Sequence, residues 1–228
     1  MNIVSVFDEN VEEYDRWYDE NKRAYQAELQ AVRRFIPEAG RGLEVGVGTG
    51  RFAAPLGIDV GVDPAGNMLA RARERGVETE VAYGEDLPFD DESFDYVLMA
   101  TLDPFVDDLE AVLREARRVL KRRGTLIVAM LDRDSPFGRI RETVQDEDKF
   151  YAQADFHAAG EMIARMRGVG FDEIRTAQTL LGEEVLPLVE REGYGAEVTN
   201  DAFEIHEGYG EGAFVVISGK KKLAVQVD

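Results

Sequence analysis

Two neighbouring stretches decide the fold: residues 42–50 read GLEVGVGTG, and residues 58–63 read IDVGVD. Each is a short apolar run that ends at glycine or aspartate, which is typical of a buried strand that leads into a tight turn. We therefore predict strands over residues 42–47 and 58–63, joined by a short helix over residues 51–56. Such a strand–helix–strand unit places its two strands parallel in one sheet.

The same alternation continues outward in both directions. Apolar and aromatic residues spaced by three and four over residues 11–36 predict one broken helix or two successive helices, stopped by Pro37 and Gly40. Residues 133–154 are polar and loosely patterned, and residues 182–212 read as an excursion from the core. We predict further helices over residues 65–75, 107–121 and 158–167, and further strands over residues 77–82, 94–99, 125–131, 171–181 and 213–218. This alternation predicts an α/β protein with a mainly parallel sheet of seven strands.

The composition limits what the protein binds. It has 46 Asp and Glu against 27 Lys and Arg, for a formal net charge of -19 over 228 residues. Because nucleic acids and anionic lipid surfaces repel such a chain, we expect neither a nucleic-acid partner nor a membrane partner. The absence of cysteine excludes thiolate chemistry, and with only His157 and His206 as nitrogen ligands no metal site is predicted. The first residues form no basic and apolar leader, so a cytoplasmic protein is expected.

The glycine-rich turn is the first candidate for a binding site. Gly46, Gly48 and Gly50 alternate directly after the first strand, where small residues let a ligand approach the backbone. Asp63 ends the second strand, and a carboxylate there can accept hydrogen bonds from both hydroxyls of a ribose. Each feature also has a purely structural interpretation, the glycines as a tight turn and Asp63 as the N-cap of the next helix.

Four segments, in this order, resemble the motifs of class I S-adenosylmethionine-dependent methyltransferases. Residues 42–50 resemble the first motif of that family, and residues 62–69 resemble the segment after its second strand. Residues 84–95 are similar to the stretch between its third and fourth strands, and residues 113–121 to the helix before its fifth. Residues 7–40 look like the N-terminal helices of the small-molecule branch, which includes the ubiquinone and menaquinone methyltransferases. The resemblance implies a Rossmann-like sheet of seven strands, with helices on both faces, an antiparallel last strand and an N-terminal helical cap.

The resemblance also assigns cofactor contacts. It places the methionine part of S-adenosylmethionine against the glycine loop, the ribose on the second-strand acid, the adenine between the next two loops, and the acceptor end beyond the fourth strand. The implied residues are, in that order, Glu44, Gly46 and Gly48, then Asp63, then Pro64, Met68, Gly84, Glu85 and Asp86, and finally Thr101.

The chain departs from the family pattern at two places. Tyr83 stands where relatives often carry an Asp that contacts the adenine amino group, and we expect Glu85 or Asp86 to make that contact instead. Residues 122–124 read Arg-Arg-Gly, where relatives often have Pro-Gly-Gly. The second departure affects the turn into the fifth strand rather than the site.

Two other functions stay open for such a cofactor site. A nicotinamide-dependent dehydrogenase also uses a glycine-rich turn and a second-strand acid, but its third glycine usually follows the second by three residues, whereas Gly50 follows Gly48 by two. Glu44 at the loop entrance also suits the sulfonium and ammonium of S-adenosylmethionine better than it suits a pyrophosphate. The other alternative is a sensor or partner subunit that binds the cofactor without transferring a methyl group.

The acceptor is expected to be a small molecule such as an amine, a phenol or a carboxylate, methylated by in-line displacement with S-adenosylhomocysteine as the product. Aromatic residues suited to an organic or cationic acceptor are predicted to line its site: Tyr14, Trp17, Tyr18, Phe105 and Tyr151. Asp103, Asp132 and His157 are candidate proton acceptors by their positions, but each also suits a turn, cap or helix-entry position. No catalytic base is therefore assigned.

The predicted domain organisation follows this division of roles. Residues 1–228 are expected to form a single methyltransferase domain. Within it, residues 1–40 form the helical cap, residues 41–132 form the cofactor-binding half, and residues 133–228 form the substrate-side half. The N-terminal helices and the insertions at residues 133–157 and 182–211 are expected to set the choice of acceptor.

Overall fold

A computed structural model describes residues 3–144, 148–181 and 204–223 of the chain. Its helices are Ile3–Glu9 (α1), Val11–Glu20 (α2), Lys22–Arg33 (α3), Ala53–Leu56 (α4), Gly66–Glu74 (α5), Leu109–Val119 (α6), Pro136–Val144 (α7) and Ala159–Gly168 (α8). Its strands are Gly42–Val45 (β1), Val60–Asp63 (β2), Glu78–Val81 (β3), Phe94–Ala100 (β4), Leu120–Leu131 (β5), Phe171–Leu181 (β6), His206–Glu207 (β7) and Gly212–Lys221 (β8).

The strands form one sheet in the order β3-β2-β1-β4-β5-β8-β6-β7. The first five of these run parallel, with Leu43 of β1 opposite Val60 on one side and Val97 on the other. β8 runs antiparallel to both β5 and β6. The Rossmann-like α/β sheet with an antiparallel last strand is therefore confirmed. The structure adds an eighth strand, β7, whose two residues are too few to produce a sequence pattern.

Two hydrophobic layers cover the two faces of the sheet. Successive residues of β4 point to opposite faces, so Leu98 packs with α2, α3 and α4, whereas Val97 packs with α6 and α8. This two-sided burial explains why the central strands are continuous apolar runs rather than alternating ones. Helices on both faces, as predicted, are confirmed.

The observed elements differ from the predicted ones at two places, helix α1 and the start of β5. Helix α1 was not predicted. Of the two alternatives predicted over residues 11–36, two successive helices are confirmed. They meet at Asn21, whose side-chain amide donates to the carbonyl of Trp17 at 2.9 Å. Helix α6 ends at Val119 and β5 begins at once, earlier than expected, with Arg123 at a φ of 59° inside the strand's irregular start. Most of the predicted excursion, residues 182–203, lies outside the described residues.

The strand order places a crevice between β1 and β4. From β1 the chain goes to β2 on one side, and it returns to β4 on the other side. Loops therefore diverge at the carboxyl ends of these strands, which is where open parallel sheets bind ligands. None of the helices in the described part of the chain has the length and apolar character needed to cross a membrane.

Candidate functional site

A cavity of about 280 Å³ lies at the carboxyl ends of β1, β2, β3 and β4, beneath α1 and α2. It brings together most of the residues that the sequence singled out. Those that line it are Tyr14, Gly46, Gly48, Asp63, Pro64, Met68, Gly84, Glu85, Thr101, Phe105 and Tyr151. Four predicted site residues do not line it: Trp17, Tyr18, Glu44 and Asp86.

The glycine loop after β1 needs glycine for two different reasons. Gly46 has a φ of 73°, and a Cβ there would lie 2.7 Å from Leu102 Cδ1, so both conformation and space exclude a side chain. Gly48 has a φ of 51°, and a Cβ there would meet only the ring of Tyr14, at 3.9 Å. The loop surface at Gly48 is therefore open to the cavity beneath Tyr14.

Asp63 connects this loop to the turn after β2. Its Oδ2 accepts a hydrogen bond from the backbone N–H of Gly48 at 3.0 Å, and its Oδ1 accepts one from the backbone N–H of Ala65 at 2.9 Å. Loss of water around the carboxylate raises the pKa of Asp63 to about 6, although both hydrogen bonds act in the opposite direction. The N-cap of α5 is Ala65, so the N-cap interpretation of Asp63 is wrong.

Glu44 lies inside β1 rather than on the cavity wall. It is 1% exposed, and its Oε2 has no hydrogen-bond partner within the described part of the chain. Burial raises the pKa of Glu44 well above the usual carboxyl range, and the nearby negative charge of Asp63 raises it further. A buried acceptor without a donor is costly in a folded protein, and such atoms often mark the place of a ligand or a water molecule.

The loop after β3 forms the side of the cavity predicted to meet the adenine. Gly84 and Glu85 line the cavity with Pro64 and Met68, while Asp86 is exposed to solvent. Glu85 Oε1 accepts from the backbone N–H of Asp107 at 3.2 Å, which ties this loop to the segment before α6. Of the two acids expected to replace the missing Asp, the structure brings only Glu85 to the cavity.

Thr101 lines the cavity just past the end of β4. It has a φ of 49°, a left-handed conformation that is uncommon for a β-branched residue. Its backbone N–H donates to the carbonyl of Ala129 at 2.7 Å, which fixes the turn against β5. The backbone is therefore held in this conformation at the edge of the cavity.

An aromatic wall, defined here as Phe7, Tyr14, Phe105 and Tyr151, closes the remaining side. Ring centroids of Phe7 lie 5.6 Å from Tyr14 and 5.1 Å from Phe105, and Phe105 lies 5.4 Å from Tyr151. The four rings come from α1, α2, the turn after β4 and the segment before α8. They form one continuous surface along the cavity.

Trp17 and Tyr18 do not belong to this wall, which corrects the prediction that they face the acceptor. Tyr18 is buried between α2 and α3, in ring contact with Tyr25 and Phe52. Its hydroxyl lies 2.8 Å from the Tyr14 hydroxyl. Trp17 is 37% exposed and packs against the outer side of Tyr18. One helical turn separates Tyr14 from Tyr18, so only the first of them reaches the cavity.

The three residues weighed as proton acceptors are buried and none lines the cavity. Asp103 Oδ2 lies 3.3 Å from His157 Nδ1, while Asp103 Oδ1 has no partner in the described residues. Burial raises the pKa of Asp103, and the hydrogen bond from His157 limits the rise. Asp132 Oδ1 accepts from the backbone N–H of Ala159 at 3.0 Å, so it supports the start of α8. The structural roles considered for these residues are thus present, and no base is assigned.

A buried ion-pair network beside the glycine loop was missed by the sequence analysis. Asp15 of α2 accepts hydrogen bonds from Thr49 Oγ1 at 2.7 Å, Arg51 Nη2 at 2.7 Å and Arg75 Nη2 at 2.6 Å. Burial alone would raise the pKa of Asp15, but these three donors outweigh it and lower the pKa to about 2. A signal exists in the sequence: Asp15 falls on the apolar face of α2, with Val11 and Tyr18.

Comparisons with known proteins point to one family. A family model described as a methyltransferase domain matches residues 43–128. An uncharacterised protein of Methanocaldococcus jannaschii is 44% identical over 218 residues, which is 96% of this chain and 100% of that protein. A Thermotoga maritima crystal structure, described as a SAM-dependent methyltransferase and possible histamine N-methyltransferase, has 46% identity and a TM-score of 0.85, covering 96% of this chain and 100% of that one.

A third relative extends the comparison to a named reaction. The ubiquinone/menaquinone biosynthesis C-methyltransferase of Desulfotalea psychrophila is 29% identical over 217 residues, covering 79% of this chain and 86% of that protein. The family match covers β1 to β5, the part of the sheet that carries the glycine loop and Asp63. The comparisons therefore favour a methyltransferase over a nicotinamide-dependent dehydrogenase. With this sheet order, this loop and these relatives, the chain belongs to the class I S-adenosylmethionine-dependent methyltransferases.

Proposed function

We propose that this protein transfers a methyl group from S-adenosylmethionine to a small-molecule acceptor by in-line displacement. The observation that carries the proposal is the continuity of the cavity. Residues implied in cofactor binding, such as Gly48 and Asp63, line the same space as the aromatic wall. Direct transfer requires donor and acceptor atoms held about 3–3.5 Å apart, which a single shared cavity permits.

The residues at the cofactor end fit the cofactor chemically. The buried Glu44 carboxyl, with one oxygen lacking a partner, suits a ligand that carries an ammonium group. Each oxygen of Asp63 accepts one backbone hydrogen bond and keeps capacity for a ribose hydroxyl. When bound, S-adenosylmethionine supplies a methyl group already activated by its sulfonium. The chain then has to orient the acceptor and exclude water.

The acceptor end supports a small molecule. The aromatic wall combines rings of α1 and α2 with Tyr151 from the segment before α8. We therefore extend the proposal to the domain organisation: one domain over residues 1–228, with the cofactor held by residues 41–132 and the acceptor by residues 1–40 and 133–228. The description of the Thermotoga relative, a possible histamine N-methyltransferase, also names a small acceptor. A cytoplasmic location stays a prediction from the sequence.

Cofactor affinity is the first test. In calorimetric titrations with S-adenosylhomocysteine, Asp63→Ala should bind about 5- to 150-fold more weakly than wild type, the loss expected for charged hydrogen bonds. Asp90→Ala is the matched control, because Asp90 is an exposed acid that does not line the cavity and is not among the residues implied in cofactor binding. Equal affinities of wild type and Asp63→Ala would remove Asp63 from the site.

Turnover is the second test, and it separates an enzyme from a sensor. Purified protein with methyl-labelled cofactor should form S-adenosylhomocysteine when a panel of small amines, phenols and carboxylates is added. Tight binding with no product from any acceptor would instead support a cofactor-binding sensor or partner subunit. The same panel without protein corrects for spontaneous methylation.

A further inference from the structure

The charged residues that line the cavity all have the same sign. They are Asp63, Glu85 and Asp107, and no Lys, Arg or His of the described residues lines it. Two more acids, Glu44 and Asp103, do not line the cavity but lie two residues before Gly46 and Phe105, which do, and each is buried with one oxygen that lacks a described partner. S-adenosylmethionine brings one net positive charge, so carboxylates remain in excess. Such a cavity attracts a cationic acceptor and repels a carboxylate.

The aromatic wall supplies the second requirement for binding an organic cation. It begins over the cofactor loop, where the ring of Tyr14 lies 3.9 Å from the Cβ position of Gly48. The wall continues through Phe7 to Phe105. Phe105 and Thr101 both belong to the segment that follows β4, and both line the cavity. Ring faces attract ammonium groups within about 6 Å of the centroid, and the attraction grows when water is excluded. The aromatic rings therefore form a surface on which an organic cation can bind beside the methyl donor.

One cationic side chain, Arg141, contacts the aromatic wall at Tyr151, and this contact limits which rings can bind the acceptor. The guanidinium carbon of Arg141 is 3.9 Å from the ring centroid of Tyr151, and Arg141 pairs with Asp148 at 3.7 Å. Because Arg141 already stacks on Tyr151, recognition of a second cation falls to Phe7, Tyr14 and Phe105. Its pairing with Asp148 offsets its charge, so the cavity keeps its negative sign.

We propose that the acceptor is an amine that binds as an ammonium ion against Phe7, Tyr14 and Phe105; this inference rests on the methyl transfer proposed above. The bound ammonium releases one proton to solvent at the cavity mouth. The freed nitrogen electron pair forms the new N–CH₃ bond, and the electron pair of the breaking C–S bond goes to sulfur. The products are a methylated ammonium ion and the neutral thioether S-adenosylhomocysteine.

The experiment compares three probes with one carbon skeleton: benzylammonium, benzyl alcohol and benzoate. Each is titrated calorimetrically at neutral pH into the protein saturated with S-adenosylhomocysteine, so cofactor binding is established first. We expect benzylammonium to bind about tenfold more tightly than benzyl alcohol, and benzoate to bind most weakly. Phe105→Leu keeps the apolar volume and removes the ring, so it should reduce the preference for benzylammonium about fivefold. Tyr14→Leu should act in the same direction if Phe105→Leu does not fold.

Trp17→Leu is the matched control, since it removes an aromatic ring of α2 that lies outside the cavity, and it should leave the preference unchanged. Equal binding of the three probes, or binding of none, would overturn the amine assignment while the cofactor titration still stands. Tightest binding of benzoate, lost in Arg141→Met, would overturn it in favour of an anionic acceptor held by Arg141. Failure of S-adenosylhomocysteine itself to bind would instead count against the proposed function.

Discussion

Asp15→Asn is expected to destabilise the protein at neutral pH through loss of the network that holds α2 to the glycine loop. The native pKa of Asp15 falls from 3.8 to about 2. That shift corresponds to about 2 kcal/mol of stability. The change also leaves the side chains of Arg51 and Arg75, 14% and 24% exposed, without their shared carboxylate. Because both arginines keep some contact with water, we expect a total loss of about 2–3 kcal/mol, below the full cost of an unpaired buried charge.

The assay is thermal and urea unfolding at several pH values. At neutral pH the melting temperature of Asp15→Asn should fall by about 4–12 °C in a chain of this size. A carboxyl with a depressed native pKa stabilises above its unfolded pKa, and this contribution is lost as pH falls from about 4 towards 2. The stabilities of wild type and Asp15→Asn should therefore become similar in acid.

The neighbouring acid provides the control. Asp19 also pairs with Arg51, but its side chain is 62% exposed, so Asp19→Asn should change stability little. An Asp15→Asn variant as stable as wild type at neutral pH would refute the reasoning. So would a stability gap of equal size at neutral pH and in acid, since that gap would come from packing rather than from charge.

Three further outcomes follow from the site geometry. Gly46→Ala should lower stability by about 1–3 kcal/mol in urea unfolding, because its φ of 73° is strained for alanine and its Cβ clashes with the turn after β4. Glu44→Gln should weaken calorimetric cofactor binding yet raise the stability of the cofactor-free protein at neutral pH; since burial raises the native pKa, that gain should vanish as pH falls below the usual carboxyl range. His157→Ala should cost about 1–3 kcal/mol in thermal unfolding by leaving the buried Asp103 unpaired. His206→Ala, at a histidine whose side chain is 51% exposed, should cost little in the same measurement.

The parts of the fold that the sequence predicted well are those with a local cause. Strands β1, β2 and β4 are short apolar runs buried on both faces, and β6 was predicted with its observed bounds, Phe171–Leu181. The cofactor end of the site followed from its position after such strands. The backbone at Gly46 and Gly48 has a positive φ, which favours glycine. This local requirement can be recognised in the sequence without knowing which distant residues lie nearby.

The parts that failed depend on contacts between distant segments. Helix α1 has only seven residues, too few for a periodic pattern, and it is held where Asp8 accepts from the backbone N–H of Asn67 at 2.7 Å, across 59 positions of sequence. Trp17 and Tyr18 were grouped with Tyr14 because they are close in sequence. In the docked position of α2, where Asp15 accepts from Thr49 Oγ1, Tyr14 reaches the cavity and the other two rings do not. A hydrophobic pattern predicts which face of a helix is buried, but not which element that face packs against.

Four poorly exposed acids near the glycine loop and the cavity, Asp15, Glu44, Asp63 and Asp103, differ in what balances their charge. Asp15 is balanced by two arginines, and its pKa is lowered. Glu44, Asp63 and Asp103 have raised pKa values because burial is not matched by cations of the chain. The first arrangement stabilises the fold without a ligand, whereas the second costs folding energy until a cation arrives. Asp63 lines the cavity, and Glu44 and Asp103 lie two residues before Gly46 and Phe105, which also line it. This placement of acids is the physical argument that the cavity suits positively charged ligands, the cofactor first and the amine beside it.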